Sequence, residues 1–146
     1  MAEFHVYDSN AVAISICGIP IVSGFAEGEL VRITMVEDAF KEYQGADGGV
    51  SRAATHDRRA NIEIRLAQTS PTNDLLSALH NVDINSPNGA GVGVFEVCDL
   101  QGTSLHFASK CWIEKSPDAA FDREVKERVW KLKCADMKNF VGGSLF

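Results

Sequence analysis

The sequence predicts a mainly β protein, an antiparallel β-sandwich or small barrel of about seven strands with one mid-chain α-helix. Several short segments alternate apolar and polar side chains, which is the period of a strand with one buried face. One segment has helical spacing, and strands do not alternate with helices as they do in α/β folds. The 146 residues have the length of one ordinary domain, so we expect residues 1–146 to form a single domain.

Four strand patterns come before the helix. In "AVAISIC" the apolar residues Val12, Ile14 and Ile16 fall on one face. "GIPIV" then supplies a turn and a short edge strand, because Pro20 cannot donate a hydrogen bond to a neighbouring strand. These two segments predict a hairpin. "LVRITMV" and "NIEIRLA" repeat the alternation, and the second is the clearest case of a strand with one wet face.

The segment "TSPTNDLLSALHNVD" predicts the helix. Ser70 can cap it and Pro71 suits the first helical position, while Leu75, Leu79 and Val82 recur at helical spacing. Three more strand patterns follow, in "VGVFEVC", "SLHFASKCWI" and "REVKERVWKLKC". They are separated by "DLQG", which predicts a hairpin turn, and by "KSPDAAF".

The segment 40–61, "FKEYQGADGGVSRAATHDRRAN", lies between two strand patterns and has no apolar periodicity. It contains three glycines and seven formally charged residues, so we expect neither a helix nor a regular strand across its length. Connections in compact domains usually take about 4 to 6 residues, and unstructured ones beyond roughly 12 to 15 tend to be functional or disordered. The sequence therefore predicts a long loop at about 41–60.

Charge is unevenly distributed along the chain. The formal net charge of −6 argues against binding nucleic acid by neutralising phosphates. Residues 1–40 carry six acids against the single base Arg32, a net of −5, whereas residues 41–60 carry four bases against three acids, a net of +1. Opposite patches on one chain favour a head-to-tail contact between copies, and such contacts build rings or open stacks. An ordinary surface loop is the alternative interpretation.

No pattern predicts a catalytic, metal or cofactor site. Cys98, His106 and Cys111 match no standard zinc spacing, and we expect the cysteines to be buried thiols. His106 and Cys111 lie five residues apart on a strand, which points their side chains to opposite faces. The mixed charges at 123–128 are typical of a solvated or subunit-facing surface. We find no membrane-spanning run and no signal-peptide pattern, so we expect folding in a cytosol without a membrane role.

Three blocks of sequence carry a family resemblance. "GIPIVSGFAEGELVRI", "GADGGVSRAATHDRRANIEIRLAQTSPTNDLLSAL" and "WKLKCADMKNFVGG" resemble the tail-tube proteins of contractile-tailed bacteriophages. The similarity runs in the same order from about Tyr7 to Gly143, and "GADGGVSR" followed by "AQTSPTNDLLSAL" is its most distinctive part.

The resemblance implies a structural, non-enzymatic subunit. Six copies would form a ring around a continuous β-barrel, and rings would stack into a hollow tube through which the genome passes without specific binding. The implied partners are further copies of the chain, the sheath protein, the tape-measure protein and the baseplate or hub proteins. The implied location is the tail of the virion, assembled in the cytoplasm of the bacterial host. No cofactor is implied.

The resemblance also assigns roles to residues. The stretch 42–60 would be an assembly arm between subunits or rings, poorly ordered in the free subunit. Its charged and titratable residues are Glu42, Asp47, Arg52, His56, Asp57, Arg58 and Arg59. Acids lining the lumen would repel DNA phosphates, and Glu63 with Arg65 is the candidate lumen pair. The alternatives are a tube subunit of a phage-tail-like bacteriocin or secretion device, and a small cytosolic ligand-binding β-domain with a pocket of convergent polar groups.

Overall fold

The structure is a computed structural model that describes residues 3–145. Within that range one α-helix, α1, spans Thr72–Ile84, and a short 3-10 turn spans Ser9–Ala11. The strands are β1 (Val12–Ile16), β2 (Ile19–Ile21), β3 (Val31–Met35), β4 (Phe40–Gln44), β5 (Val50–Ala54), β6 (Ala60–Ala67), β7 (Gly93–Asp99), β8 (Leu105–Lys115), β9 (Glu127–Cys134) and β10 (Met137–Phe140).

Eight of these strands form one sheet, and all of its strand pairs are antiparallel. The order is β2-β1-β7-β8-β9-β6-β3, and β10 pairs with β8 off this path. The seven strands of the path are the seven that the sequence predicts, six from alternation and β2 from its turn and Pro20. The fold class of mainly antiparallel β with one mid-chain helix is therefore confirmed, and so is the first hairpin, β1–β2, with Pro20 in an edge strand.

One face of the sheet holds the core. Seven strands spaced about 4.8 Å apart would span about 29 Å if flat, whereas a helix is only about 10 Å wide. Buried side chains nevertheless come from strands across this whole width and join one cluster. The sheet must therefore curl over its own apolar face, with α1 covering part of the opening. The largest fully buried side chains include Ile16, Ile62, Ile64, Leu66, Phe95, Trp130, Leu132 and, from the helix, Leu76.

The segment 40–61 is not the irregular loop that its composition predicts. β4 and β5 pair along five residues each as a separate two-stranded sheet. All ten strand residues are exposed, so no buried face imposes an apolar alternation, and the periodicity argument fails for that reason. The turn between them is closed by Gly45 N–H donating to the Gly49 carbonyl at 2.7 Å, and Gly48 takes a φ of +87°.

The strand β10 was also missed, because it continues β9 along the same side of β8 after a break at residues 135–136. At that break the Asp136 carboxylate accepts hydrogen bonds from the Ser109 hydroxyl and, at 3.2 Å, from the Lys110 N–H. The Ser109 hydrogen bond and the backbone donors hold the pKa of Asp136 below its usual range. A break of this kind leaves no apolar period long enough to read as a strand.

The helix occurs where its spacing predicts, but its buried face differs. It begins at Thr72, directly after Pro71, and the Ser70 hydroxyl accepts the Thr72 N–H at 3.3 Å. The predicted stripe is wrong at Leu75 and Val82, which are 53% and 54% exposed. The apolar side chains that reach the core are instead Leu76, which is fully buried, and Leu79, which is half-buried.

Asn73 fixes the first turn of the helix to the sheet. Its side-chain nitrogen donates to the Ala67 carbonyl at 2.9 Å, and its side-chain oxygen accepts the indole N–H of the buried Trp130 at 2.9 Å. The single side-chain amide of Asn73 thereby provides hydrogen-bond partners for the carbonyl at the end of β6 and for the indole N–H of a core tryptophan. Its contact with the core was not readable from periodicity, because the half-buried Asn73 is polar and lies outside the predicted stripe of Leu75, Leu79 and Val82.

Two further expectations about side chains need adjustment. Arg128 is buried, not solvated, because its guanidinium donates to the Ala120 carbonyl at 3.1 Å. Cys111 and Cys134 are buried thiols as expected, whereas Cys17 and Cys98 are only half-buried. Among residues 3–145, no helix is long and apolar enough to cross a membrane.

The adjacent leucines of the helix provide a matched test of its orientation. We expect Leu76→Ala to lower the free energy of unfolding by about 2 to 5 kcal/mol, because it leaves a cavity in the core. Leu75→Ala removes the same atoms from an exposed position and should cost about 0.5 kcal/mol. Urea denaturation followed by circular dichroism measures both, and equal losses would show that the helix faces the sheet differently.

Candidate functional site

The β4–β5 hairpin projects from the edge of the main sheet. β3 leads into β4 through residues 36–39, and β5 returns to β6 through residues 55–59, so the hairpin extends the paired strands β3 and β6. Its exposed side chains include Phe40, Tyr43 and Val50, which are 48%, 71% and 68% exposed. An isolated two-stranded hairpin in water is marginally stable at best. The exposed apolar side chains of this hairpin are therefore typical of a surface that contacts another protein.

Hydrogen bonds at the base hold the hairpin in one direction. Thr55 N–H donates to the Ala39 carbonyl at 2.8 Å, and Val36 N–H donates to the Arg59 carbonyl at 3.1 Å. Arg58 contributes through its carbonyl, which accepts the N–H of Met137 at 2.9 Å, and through its guanidinium, which donates to the Thr55 carbonyl at 3.0 Å. The base is thus tied to β10 as well as to β3 and β6.

Asp57 and Arg59 form the strongest polar contact of this base. The Arg59 guanidinium donates in a forked arrangement, from Nε to Oδ1 at 2.9 Å and from Nη2 to Oδ2 at 2.7 Å, and the Arg59 N–H donates to Oδ1 at 3.0 Å. Charge-assisted bidentate pairs of this kind are among the more specific polar contacts in proteins. They lower the pKa of Asp57 to about 2.

The hairpin itself carries the remaining predicted arm residues. Arg52 of β5 lies opposite Glu42 of β4, but its guanidinium sits over the Phe40 ring, 4.0 Å from the centroid. Asp47 lies in the turn and accepts the Gly49 N–H at 3.0 Å. The structure therefore divides the predicted set between the hairpin, with Glu42, Asp47 and Arg52, and its base, with His56, Asp57, Arg58 and Arg59.

Sequence reasoning missed the open edge that β3 presents beside the hairpin base. Arg65 N–H donates to the Leu30 carbonyl at 3.2 Å, and Val36 N–H donates to the Arg59 carbonyl. Backbone direction alternates along an antiparallel strand, so the even-numbered residues bond to β6. The N–H and C=O groups that point away from the sheet are those of Val31, Ile33 and Met35.

The other edge of the sheet differs. It is the three-residue strand β2, in which Pro20 offers no N–H to an added strand. The two edges of one subunit are therefore unequal, one open and one blunted. For the hairpin, the sequence did carry a signal: the Asp47–Gly48 dipeptide is a frequent hairpin turn, but it lacked flanking apolar alternation.

Glu63 and Arg65 lie together on the face of β6 opposite the core. They form an ion pair at 3.4 Å, and Arg65 also contacts Glu127 at 2.8 Å and Glu29 at 3.8 Å. Across the strands, Arg32 and Lys131 lie in register on either side of Glu63. This face therefore carries cations and carboxylates in alternation, rather than acids alone.

No site of convergent catalytic groups occurs within residues 3–145. A groove of about 590 Å³ beside β1 and β2 is lined by uncharged residues. A second, of about 530 Å³, contains the shifted Asp136, whose pKa is already explained by Ser109 and Lys110. In the same described range, no three His, Cys, Asp or Glu side chains are grouped to hold a metal ion.

Comparisons with solved structures place this curled sheet, single helix and hairpin in the tube-protein fold of contractile injection systems. The chain is similar to the tube terminating cap of the anti-feeding prophage, with a TM-score of 0.63, 11% identity and coverage of 96% of this chain and 94% of that one. It is also similar to a chain of the PVC sheath-tube complex of an extracellular contractile injection system in its extended state, with a TM-score of 0.58, 12% identity and coverage of 91% and 90%.

Sequence comparison then defines the family. The family model described as "Bacteriophage PhiTE tail tube protein" matches residues 1–142, and the chain belongs to this family. It is also 30% identical over 123 residues to "Structural protein ORF10" of Pseudomonas phage KPP10, covering 84% of this chain and 71% of that protein. The protein is thus a structural, non-enzymatic tail tube protein and a component of the virion.

The salt link at the hairpin base generates a titration test. We expect the Asp57 carboxyl to have a pKa of about 2 in the folded protein. A pH titration of its carboxyl carbon by carbon-detected NMR measures this pKa. Arg59→Gln should raise this pKa toward 3.8, whereas Arg58→Gln should move it less, because Arg58 gives Asp57 no side-chain hydrogen bond. An Asp57 pKa that stays low in Arg59→Gln would contradict the assigned pairing.

The same shift predicts the pH at which the base loosens. The folded pKa of Asp57 lies below the value of 3.8 for the unpaired group, so this carboxylate stabilises the folded state above pH about 4. The contribution is lost as the pH falls toward 2. With exchange rates divided by the intrinsic rate at each pH, we expect the protection of the β4 and β5 amides to fall over this range in the wild type, and to depend less on pH in Asp57→Asn.

Proposed function

We propose that copies of this chain form hexameric rings that stack into a hollow tail tube, through which the genome passes during ejection. The observation that carries the proposal is the β4–β5 hairpin, which is exposed on both faces yet anchored at its base. A subunit of a tube family with such an arm has a means of reaching a neighbouring subunit or ring. Contacts of Asp57, Arg58 and Arg59 at the base fix the direction of this arm, and His56 is their neighbour in the chain.

Assembly would bury surface that the free subunit leaves in water. Phe40, Tyr43 and Val50 would leave solvent on contact with a neighbour, which favours association through the hydrophobic effect. The contact would be head-to-tail, because the hairpin segment (residues 41–60, net +1) would meet the acidic part of a neighbour (residues 1–40, net −5), which is a different surface. Contacts between unlike surfaces generate rings or open stacks rather than closed pairs.

The proposed partners follow from the same family. Structures similar in fold include a sheath-tube complex and a tube terminator, so we infer that the outer surface of the tube contacts a sheath. We further infer a tape-measure protein inside the tube during assembly, and baseplate or hub proteins at its end. A tube without a genome, as in an injection device, is the second candidate, favoured by the fold similarity; the phage family and the phage relative favour the tail.

We infer that the face carrying Glu63 and Arg65 lines the lumen. The carboxylates of Glu29, Glu63 and Glu127 surround the Arg65 guanidinium and offset its charge. Such pairing would keep a lumen cation from binding DNA phosphates, since phosphate contacts arise from unneutralised Lys and Arg.

Removing the hairpin tests the assembly role. Ala39 and Thr55 form a backbone hydrogen bond at 2.8 Å, so residues 40–54 can be replaced by an Asn-Gly turn. We expect a folded monomer with near-wild-type circular dichroism that forms no tubes in negative-stain electron microscopy, whereas concentrated wild type forms hollow tubes with six-fold end views. The matched control exchanges exposed Val125 for Ser, far along the chain from the hairpin. Normal tubes from the deletion variant would contradict the proposal that the hairpin is needed for assembly.

The lumen assignment has a separate test. In phage particles carrying Glu63→Gln with Glu127→Gln, Arg65 keeps only its longer contact to Glu29. We expect normal tails but slower DNA ejection at low salt, recovering at high salt because phosphate contacts are salt-dependent. Asp118→Asn with Glu124→Gln removes two acids from an exposed loop and is the control. Unchanged ejection in the first pair would place this face away from the DNA.

A further inference from the structure

We propose that Cys111 and Cys134 are an oxidation site, at which a disulfide forms between neighbouring strands after the virion has left the host cell. The chain is a component of the virion, and disulfides form and persist on virions, whereas they are rare in a cytosol. The bond would lie within one subunit, so its formation does not depend on how copies assemble.

The register of the sheet brings the two thiols together. Cys111 of β8 lies directly opposite Cys134 of β9. The Ala135 N–H donates to the Lys110 carbonyl at 3.0 Å, and because this bond joins residues that flank the two cysteines, they form a non-hydrogen-bonded pair. The Cα atoms of such a pair are about 4.5 Å apart, within the range of about 4.4 to 6.8 Å found for disulfides. Both side chains are fully buried on the same face of the sheet.

A third thiol lies beside this pair. The Sγ atom of the half-buried Cys17 lies 3.6 Å from the Cys111 carbonyl oxygen and 3.6 Å from that of Gly91. Gly93 of β7 is the strand neighbour of Cys111, and a Cβ atom there would lie 3.0 Å from the Cys17 Sγ. The missing side chain of Gly93 therefore lets the Cys17 thiol reach across β7 to β8.

The backbone of Cys17 is strained. Its φ of +51° makes it the one non-glycine residue with a positive φ among residues 3–145. Such residues are uncommon and cluster at functional positions, and a tight hairpin turn would favour Asn or Gly there. The turn alone does not account for a cysteine at this position, whereas the contact of its thiol with Cys111 does.

Burial explains why the thiols stay reduced while the protein folds. It raises the pKa of Cys17, Cys111 and Cys134, and the thiolate is the form that reacts. Full burial also keeps a dissolved oxidant away from Cys111 and Cys134. The half-buried Cys17 is the member of the group that an oxidant can reach.

The oxidant in the proposed reaction is a small-molecule disulfide such as glutathione disulfide. The Cys17 thiolate attacks one of its sulfur atoms and expels a thiolate, which takes up the proton that Cys17 released. Cys111 then displaces the second small thiol from Cys17, and Cys134 displaces Cys17 from Cys111. In total, two electrons and two protons pass from Cys111 and Cys134 to the oxidant, which becomes two thiols, and Cys17 is regenerated.

Peptide mapping tests the proposed bond. Trypsin cleavage after lysine releases Cys111 in "CWIEK" and Cys134 in "CADMK". The folded full-length protein is oxidised with glutathione disulfide, alkylated and digested without reduction. We expect free thiols to fall from four per chain to two, with "CWIEK" joined to "CADMK" as the main product in mass spectrometry. The midpoint of thermal unfolding should rise by several degrees and return to its starting value with dithiothreitol, because the crosslink restrains the unfolded chain.

Two matched variants test the role of Cys17. Cys17→Ser and Cys98→Ser each remove one half-buried thiol. We expect Cys17→Ser to slow formation of the linked peptide by on the order of tenfold, because exchange depends on access to the attacking thiol, and Cys98→Ser to leave its rate unchanged. Cys134→Ala should abolish both the linked peptide and the thermal shift.

The same digestion of phage particles, alkylated before they are opened, should yield the linked peptide. Alkylated Cys111 and Cys134 in those particles would overturn the proposal. So would four thiols that persist in the folded protein while urea-unfolded protein is oxidised, or a main product that joins Cys17 to Cys98. An unchanged rate in Cys17→Ser would overturn the part assigned to Cys17. None of these results bears on the assembly of the tube.

Discussion

The fold depends on the burial of a single face of β6 and β9. Their paired residues Ile62 and Leu132, and Ile64 and Trp130, are nearly inaccessible to water and belong to one core cluster. Each such side chain contributes about 1.5 to 3 kcal/mol when it leaves water. Because only one face is apolar, the sheet has to curl to cover it, and the opposite face and both edges stay outside. Any contact with another subunit must therefore be made by the outer face of the sheet, by its edges or by the hairpin.

The hairpin is possible because β6, from which it extends, is firmly held by its pairing with β9 and by its buried face. β3 and β6 enter the hairpin from a sheet whose β6 is fully packed, and the Asp57–Arg59 pair with the Arg58 contacts fixes the direction in which the hairpin leaves. Exposed ion pairs contribute little to global stability, so their value here lies in orientation. A two-stranded hairpin with no core of its own is marginally stable in water, so the contact with a neighbour that we propose would also stabilise its conformation.

The sequence predicted the elements that have a buried face and missed those that do not. Six of the seven strands of the sheet path were predicted from alternation, because a period of two is required wherever one face meets a core. The seventh, β2, was predicted from its turn and Pro20. β4 and β5 have no buried face, and β10 follows a break at Asp136, so neither produces that signal. The helix was located, but Leu75 and Leu76 are chemically equal, and only the position of the sheet selects Leu76. The charged arm residues could be named from their segment, whereas the direction of the β3 backbone groups required the hydrogen bonds.

The inequality of the two sheet edges bears on why association would yield a tube. If both edges were open, subunits could pair edge to edge without limit in the plane of the sheet, as aggregating β proteins do. Pro20 blunts one of these edges, so that β3 presents the one open edge of the main sheet among the residues that the structure describes. A contact between unlike surfaces gives the assembly a direction, and repeated application of one such contact builds rings or stacks according to the rotation it imposes. The position of one proline and the projection of one hairpin thus favour the head-to-tail assembly that we propose.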